Sequence, residues 1–395
     1  MPRPKSVSIA PWGDVVSFGA RKLSLYAGDT GDLLVSKGIC YTFREAFGFV
    51  GRRTGVLVCE DGIKVFDFPG LTYRGVRSLP GKARTAAFGN RRVAVGFAEG
   101  PVRVYDARDW SQAGHFALGE RASALALSPD ERTLAVALRD GRLAVLDLAT
   151  STRRSLSNPA KAPVRVLAYA ADGGRLVGAA GSSVTLWQAA TPEPTRSFAV
   201  AGAVADVRWI SGDAIVVVGR SFSSAIRVAD GAAEGLPVQA GAHAKGWVDA
   251  AVTRDGRMLC IASAERSIHC LARGRPPARG DGVDAAPTQP GVPPRHGVTA
   301  GRLVGHTGNH LTMEAHPHTE LPRVGRRAEL RRHVLREQGG LLTSEWPPVA
   351  FVTVDRVHRG RLRLTIEEDR SATVLPDSEK DPFEYDAPVR LVWAR

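Results

Sequence analysis

The sequence is poor in cysteine and lacks long apolar runs. Only 4 of its 395 residues are cysteine, and no Cys-x-x-Cys pair of the kind found at zinc and redox sites occurs. No window of about 18 residues is uninterrupted by polar groups, so we expect no membrane-spanning helix. No apolar leader follows Met1. We therefore expect a cytoplasmic protein in which Cys260 and Cys270 pack as apolar thiols instead of forming a disulfide.

Fingerprints of catalysis are also missing. The sequence contains no nucleophile elbow of the Gly-x-Ser-x-Gly type, no Walker loop and no dinucleotide-binding glycine pattern. We therefore predict a protein that is not an enzyme and needs no cofactor.

The stretch from Ala122 to Leu148 shows what the chain does contain. Three short apolar runs are separated by turns at Ser128-Pro129-Asp130 and Asp140-Gly141. Proline presets the backbone for the first turn, and glycine supplies the positive φ that a tight hairpin requires. Each run suits a strand and is too short for a globular helix. The stretch predicts a meander of three strands, with a fourth near Arg153.

This unit recurs along the chain from residue 1 to residue 273. The ends of successive third strands are 39 to 42 residues apart, at Ala27, Asp67, Asp106, Asp147, Gln188, Ala229 and Leu271. A period near 40 with four strands per unit is typical of propeller blades. One four-stranded sheet cannot bury both faces alone, whereas radially packed sheets cover one another.

With its Tyr105-Asp106, Leu146-Asp147 and Trp187 strand ends, the chain resembles the WD-repeat propellers from about Ser6 to Arg273. The family's Trp-Asp pair never appears intact, so its polar tetrad is not carried over and apolar packing must replace it. The resemblance implies an all-β fold with seven blades and a role in protein interaction. With a further domain attached to its repeat region, the chain also resembles the propeller components of bacterial systems that pair a MoxR-type ATPase with a von Willebrand A protein.

The net charge of +13 is concentrated in the repeat region, yet basic and acidic residues alternate on both expected rims. Phosphate binding favours one contiguous basic stripe, so nucleic acid is the less favoured partner. An acidic protein fits the charge at least as well. We predict contact residues in the aromatic connector 39–45 and in the loops of one rim. These are Tyr41, Phe43, Arg44, Arg84, Arg121, Arg139, Arg220, Phe222, Lys245 and Arg266.

Two further regions follow the repeats. Residues 274–298 are rich in proline and glycine and predict a linker. Residues 299–395 predict a small β-rich α+β domain, compatible with a barrel of four to six strands, with one helix at Arg326 to Gln338. Thr299 to His306 either supplies the missing outer strand of the seventh unit or pairs within this second domain.

Histidines cluster in the second domain. Four of them, His306, His310, His316 and His318, lie within 13 residues and offer an alternative interpretation as a metal site. Their spacing matches no zinc motif, and Pro317 divides the second pair.

The preferred prediction is a bacterial, cytoplasmic, non-enzymatic interaction scaffold whose partner is a protein, either an acidic one or an AAA+ ATPase system. A metal-dependent enzyme with its site in residues 299–395 is the alternative from another class. A nucleic-acid-binding propeller is the third.

Overall fold

The fold is described from a computed structural model, and the description covers the greater part of the chain. The described residues are 6–19, 22–28, 33–38, 46–60, 62–219, 222–235, 247–253, 256–263, 268–272, 296–315, 321–338, 341–358, 361–370 and 388–394. Within these ranges every regular element is a strand. Nothing helical there has the length and hydropathy needed to cross a membrane.

Residues 6–272 form a series of separate antiparallel sheets. The first contains β1 (Ser6–Ile9), β2 (Val15–Gly19), β3 (Lys22–Tyr26) and β4 (Leu33–Gly38). The second contains β5 (Ala46–Val50), β6 (Thr54–Val58), β7 (Gly62–Asp67) and β8 (Thr72–Ser78). The third contains β9 (Ala83–Phe88), β10 (Arg92–Phe97), β11 (Val102–Asp106) and β12 (Gln112–Phe116). The fourth contains β13 (Ala122–Leu127), β14 (Thr133–Leu138), β15 (Leu143–Asp147) and β16 (Arg153–Leu156).

Three more sheets follow in the same order along the chain. The fifth contains β17 (Val166–Tyr169), β18 (Arg175–Ala180), β19 (Ser183–Gln188) and β20 (Pro194–Ala199). The sixth contains β21 (Val204–Trp209), β22 (Ala214–Gly219), β23 (Phe222–Arg227) and β24 (Ala233–Gly235). The seventh, as far as it is described, has three strands, β25 (Trp247–Val252), β26 (Met258–Ser263) and β27 (Ile268–Ala272).

The first strands of these sheets link them in sequence. Each first strand contacts that of the next sheet, and β25 of the seventh returns to β1 of the first. The sheets pack face to face, which is why the second strands are apolar on both sides: β14 and β22 are buried along almost their whole length. The last strands lie farthest from these contacts, and β8 is exposed at nearly every position. Burial is therefore greatest in the middle strands of a sheet and least in the fourth.

The cysteines of the seventh sheet overturn one expectation. Cys260 and Cys270 are direct partners in the β26–β27 ladder, with Cα atoms 4.1 Å apart, and they form a disulfide. The prediction of two packed thiols is wrong because direct pairing across two strands brings the side chains together on one face. Cys260 is fully buried and Cys270 is exposed.

The remaining strands form a closed barrel and one hairpin. The barrel consists of β28 (His296–Thr307), β29 (His310–Ala315), β30 (Arg327–Arg332), β33 (Pro348–His358), β34 (Arg361–Asp369) and β35 (Pro388–Ala394). Around the barrel the order is β28, β29, β34, β33, β30, β35. The hairpin consists of β31 (Val334–Gln338) and β32 (Leu341–Glu345).

Two predictions for this region are settled by the barrel. The helix predicted at Arg326 to Gln338 is wrong, since β30 and β31 occupy this stretch. Its helix-forming composition is overridden by a period of two, in which Ala328 and Leu330 enter the barrel core. Thr299 to His306 belongs to β28, which pairs with β29 and β35. It therefore does not complete the seventh sheet.

The barrel lies against the first sheet through a buried polar contact. The Oδ2 atom of Asp14, in the β1–β2 turn, lies 2.9 Å from Nε2 of His333, and both side chains are almost fully buried. The same carboxylate accepts hydrogen bonds from the Trp12 indole N–H and the Gly28 backbone N–H. Trp346 packs against the core shared by the first two sheets. This contact fixes the barrel beside the β1–β2 turn.

Candidate functional site

The predicted rim residues that the structure describes are held in contacts within the chain. Arg84 Nη2 lies 3.1 Å from Glu60 Oε1 of the preceding sheet, and its side chain is 20 % exposed. The backbone N–H of Arg139 donates to the carbonyl of Arg121, which places these two residues side by side. Phe222 is half-buried and packs against the core between the fifth and sixth sheets. Their role as partner contacts stays a prediction.

The other predicted contact residues lie outside the described ranges. They are Tyr41, Phe43, Arg44, Arg220, Lys245 and Arg266.

A groove with a volume of about 290 Å³ opens at the outer edge of the second and third sheets. Arg74, Gly75 and Arg77 of β8 line one side of it, and Arg108 and Trp110 of the β11–β12 turn line the other. Thr54, Val65, Asp67 and Ala107 complete the lining. This groove has no signal in the sequence, because its two sides belong to different repeat units and meet only when the sheets pack.

The turn that carries Arg108 and Trp110 is held by its own backbone contacts. Asp106 Oδ1 accepts the Arg108 N–H at 2.9 Å, and the Trp110 N–H donates to the carbonyl of Asp106 at 2.8 Å. Trp110 has a φ of 63°, a left-handed conformation that is rare for a large side chain. Asp109 accepts the Ser111 N–H, which lowers the pKa of its carboxyl and keeps it ionised. These contacts fix the turn before any ligand binds.

The groove carries an excess of positive charge. Arg74 forms an ion pair with Asp67 at 2.5 Å, which neutralises both groups. Within the described ranges, Arg77 and Arg108 have no ion-pair partner. Tyr73 and Val76 of β8 are each 51 % exposed, but they lie on the opposite face of the sheet, where the Tyr73 ring packs against Phe66. The groove thus combines two guanidinium groups outside any ion pair with the half-buried side chain of Trp110.

A second charged cluster joins the sixth, seventh and first sheets near their first strands. Asp206 Oδ2 accepts the Ala250 N–H at 3.0 Å, and Asp249 Oδ2 accepts the Val7 N–H at 2.9 Å. Arg208 Nε lies 3.2 Å from Asp206 Oδ2. Burial raises the pKa of the Asp206 carboxyl well above its ordinary value, although the Arg208 charge opposes this. The cluster connects neighbouring sheets.

The likeness of the chain to known proteins lies in this arrangement of sheets. No family model and no curated protein matches the chain. A chain in a solved structure entitled "Crystal Structure of Mitotic Checkpoint Complex" is similar, with a TM-score of 0.59 and 15 % identity. The match covers 69 % of this chain and 87 % of the other, which is a WD40 propeller. The fold is propeller-like and similar to that of WD40 proteins. At this level of identity, the likeness concerns the fold alone.

The barrel places the histidines of the alternative metal site as follows. His310 lies on the outside of the barrel, where its Nδ1 is 3.0 Å from Thr365 Oγ1 and 3.6 Å from Asp355 Oδ2. His306 is paired with Leu311 in the ladder, and its Nε2 lies 2.8 Å from the Gly308 carbonyl. His316 and His318 lie outside the described residues. Among the residues that are described, no three possible metal ligands cluster.

Proposed function

We propose that the protein is a non-enzymatic interaction scaffold that binds an acidic segment of a protein partner in the groove between the second and third sheets. In this proposal the seven sheets are the blades of a seven-bladed propeller, spanning residues 1–273. Residues 274–298 are the linker, and residues 299–395 are the second domain, whose barrel begins within the predicted linker at His296. The similar solved chain belongs to a protein complex, which supports a protein partner in general terms.

The groove is the observation that carries this function. Arg77 and Arg108 both line this cavity and have no ion-pair partner among the described residues. Guanidinium groups recognise carboxylates through paired, charge-assisted hydrogen bonds. Trp110, which lines the same groove, offers apolar contact for a side chain next to the acidic residue.

Most of the affinity for an acidic segment is expected to come from charge complementarity. Because β8 is an exposed last strand of its sheet, an extended segment can approach the groove without displacing another element of the second sheet. Exposed ion pairs each contribute little, so the proposed contact is of moderate strength and sensitive to salt.

Selection from a random peptide library displayed on phage tests this proposal. The full chain is expected to enrich peptides with aspartate and glutamate, whereas the double variant Arg77→Gln/Arg108→Gln is not. A selected peptide should bind the double variant about tenfold more weakly, since two exposed charge pairs are lost.

Arg132→Gln serves as the matched control, because Arg132 is an exposed arginine of the fourth sheet that lies outside the groove. Binding should be unchanged in that variant. The proposal fails if acidic peptides are not enriched, or if Arg132→Gln weakens binding as much as the groove variant does.

A link to an AAA+ ATPase system and a bacterial source have no support in the comparisons. A cytoplasmic location also stays a prediction, and the Cys260–Cys270 disulfide argues against it, because disulfides persist mainly in oxidising compartments.

A further inference from the structure

The outer face of the barrel contains two arginines that are direct neighbours on adjacent strands. Arg356 of β33 is the ladder partner of Arg363 of β34, and both are exposed. Arg363 is in turn the partner of Thr312 on β29. Two guanidinium groups and a hydroxyl group therefore lie in one row across three strands. Like charges directly opposite each other destabilise a sheet.

A β-bulge creates this arrangement. Val354 pairs with Leu364, and the next pair is Arg356 with Arg363, so Asp355 is the extra residue of the bulge. In a regular ladder Asp355 would stand opposite Arg363, which would be a favourable pair of opposite charges. The bulge replaces that pair with two like charges. Bulges often redirect a side chain beside a functional site.

Nearby carboxylates do not compensate the two arginines. Asp355 accepts a hydrogen bond from the Thr365 hydroxyl at 2.6 Å. Glu314 pairs with Arg302 at 2.7 Å, and Glu367 pairs with Arg327 at 2.7 Å. In the part of the chain that the structure describes, neither Arg356 nor Arg363 takes part in an ion pair.

We propose that Arg356 and Arg363 form a binding site for a phosphate monoester on the outer face of the barrel. A phosphate monoester carries a charge of about −1.5 to −2 at neutral pH and three acceptor oxygens. It therefore matches two adjacent guanidinium groups better than a single carboxylate does. Thr312 supplies a further hydroxyl group in the same row. The site is independent of the propeller groove.

The surroundings favour one phosphoryl group over a nucleic-acid backbone. A polyanion requires a continuous track of cations that contact successive phosphates. Here carboxylates flank the row: Glu314 stands two residues from Thr312 on β29 and lies 3.9 Å from the next cation, Arg361, and Asp355 is next to Arg356 on β33. A single dianionic group can contact the two arginines without approaching either carboxylate.

A phosphorus NMR titration of the full chain tests the site. Inorganic phosphate and phosphoserine are the two probes, and sodium chloride holds the ionic strength constant. Both resonances should broaden and shift as protein is added. In Arg363→Gln the affinity should fall about tenfold, because one bidentate, charge-assisted contact is lost. Equal affinity for the two probes assigns recognition to the phosphoryl group alone, and tighter binding of phosphoserine assigns it to a phosphorylated segment.

Two further variants keep the test decisive. Arg331→Gln is the control, since Arg331 is on another barrel strand and already pairs with Glu329 at 2.6 Å. It should bind phosphate as the wild type does. Arg363→Lys preserves the charge and guards against misfolding, and it should show intermediate affinity because lysine lacks the bidentate fork. The proposal is overturned if phosphate binds no better than chloride or if Arg331→Gln loses as much affinity. It is also overturned if single-stranded DNA binds at these arginines more tightly than phosphoserine.

Discussion

The contact between the last and first sheets can be tested at a single hydrogen bond. Asp249 on β25 accepts the backbone N–H of Val7 on β1, although the two residues are 242 positions apart. Val7 is only 5 % exposed. Replacing Asp249 by alanine leaves this N–H buried without its acceptor. We therefore expect Asp249→Ala to loosen the contact between β25 and β1 more than it affects other parts of the propeller.

The size of the effect follows from the nature of the bond. A hydrogen bond to a charged group contributes about 1.5 to 3 kcal/mol, so we expect a loss of about 2 kcal/mol in local stability. That loss corresponds to about a 30-fold faster hydrogen exchange at the Val7 amide. Hydrogen exchange measured by mass spectrometry on peptides that cover β1, β14 and β25 reads out the change. Exchange in β14, in the fourth sheet, should stay as it is in the wild type.

Two control variants distinguish the loss of the Asp249–Val7 hydrogen bond from a general loss of negative charge. Asp249→Asn retains a carbonyl acceptor and should recover part of the protection. Asp230→Ala removes an exposed carboxylate in a turn of the sixth sheet and should leave β1 unaffected. The reasoning is refuted if exchange at β1 in Asp249→Ala rises no more than in Asp230→Ala.

Two other predictions concern the sixth and seventh sheets. Because burial raises the folded-state pKa of Asp206 above its unfolded value, its contribution to stability is present at low pH and is lost as pH rises through the folded pKa. The unfolding free energy of the wild type relative to Asp206→Asn, measured in urea, should therefore fall as pH increases, and a constant or rising difference would contradict this. Reduction of the Cys260–Cys270 disulfide, or Cys260→Ser/Cys270→Ser, should speed proteolysis near β27, because the cross-link joins this strand to β26. Cys59→Ser, at a buried cysteine in the second sheet, is the control and should not change cleavage at β27.

Several elements could be predicted from the sequence because their signals are local. The turns at Ser128-Pro129-Asp130 and Asp140-Gly141 separate β13, β14 and β15 as expected. The strand end at Asp147 was found from the repeat, and its carboxylate accepts the Ala149 and Thr150 backbone N–H groups in the following turn. Apolar and polar residues alternate from His310 to Ala315, and this stretch is strand β29.

Other local signals were misread because composition and periodicity disagreed. Arg326 to Gln338 is rich in helix-forming residues, yet Ala328 and Leu330 alternate with charged residues and enter the barrel core. Burial of that face in a closed barrel outweighs intrinsic helix propensity. Thr299 to His306 could pair in either domain by its pattern alone, and only the available partners, β29 and β35, decided between them.

The sequence by itself determined that the repeat region forms short antiparallel strands in units of nearly constant length, because turn chemistry and a period of two act over a few neighbouring residues. Only the tertiary structure decided which units touch. It also decided the Asp249–Val7 bond, the Asp14–His333 contact and the pairing of Arg356 with Arg363. The groove beside Trp110 depends in the same way on how two sheets pack. These features join residues that are distant in the chain, and their energies depend on burial and register that no local pattern encodes.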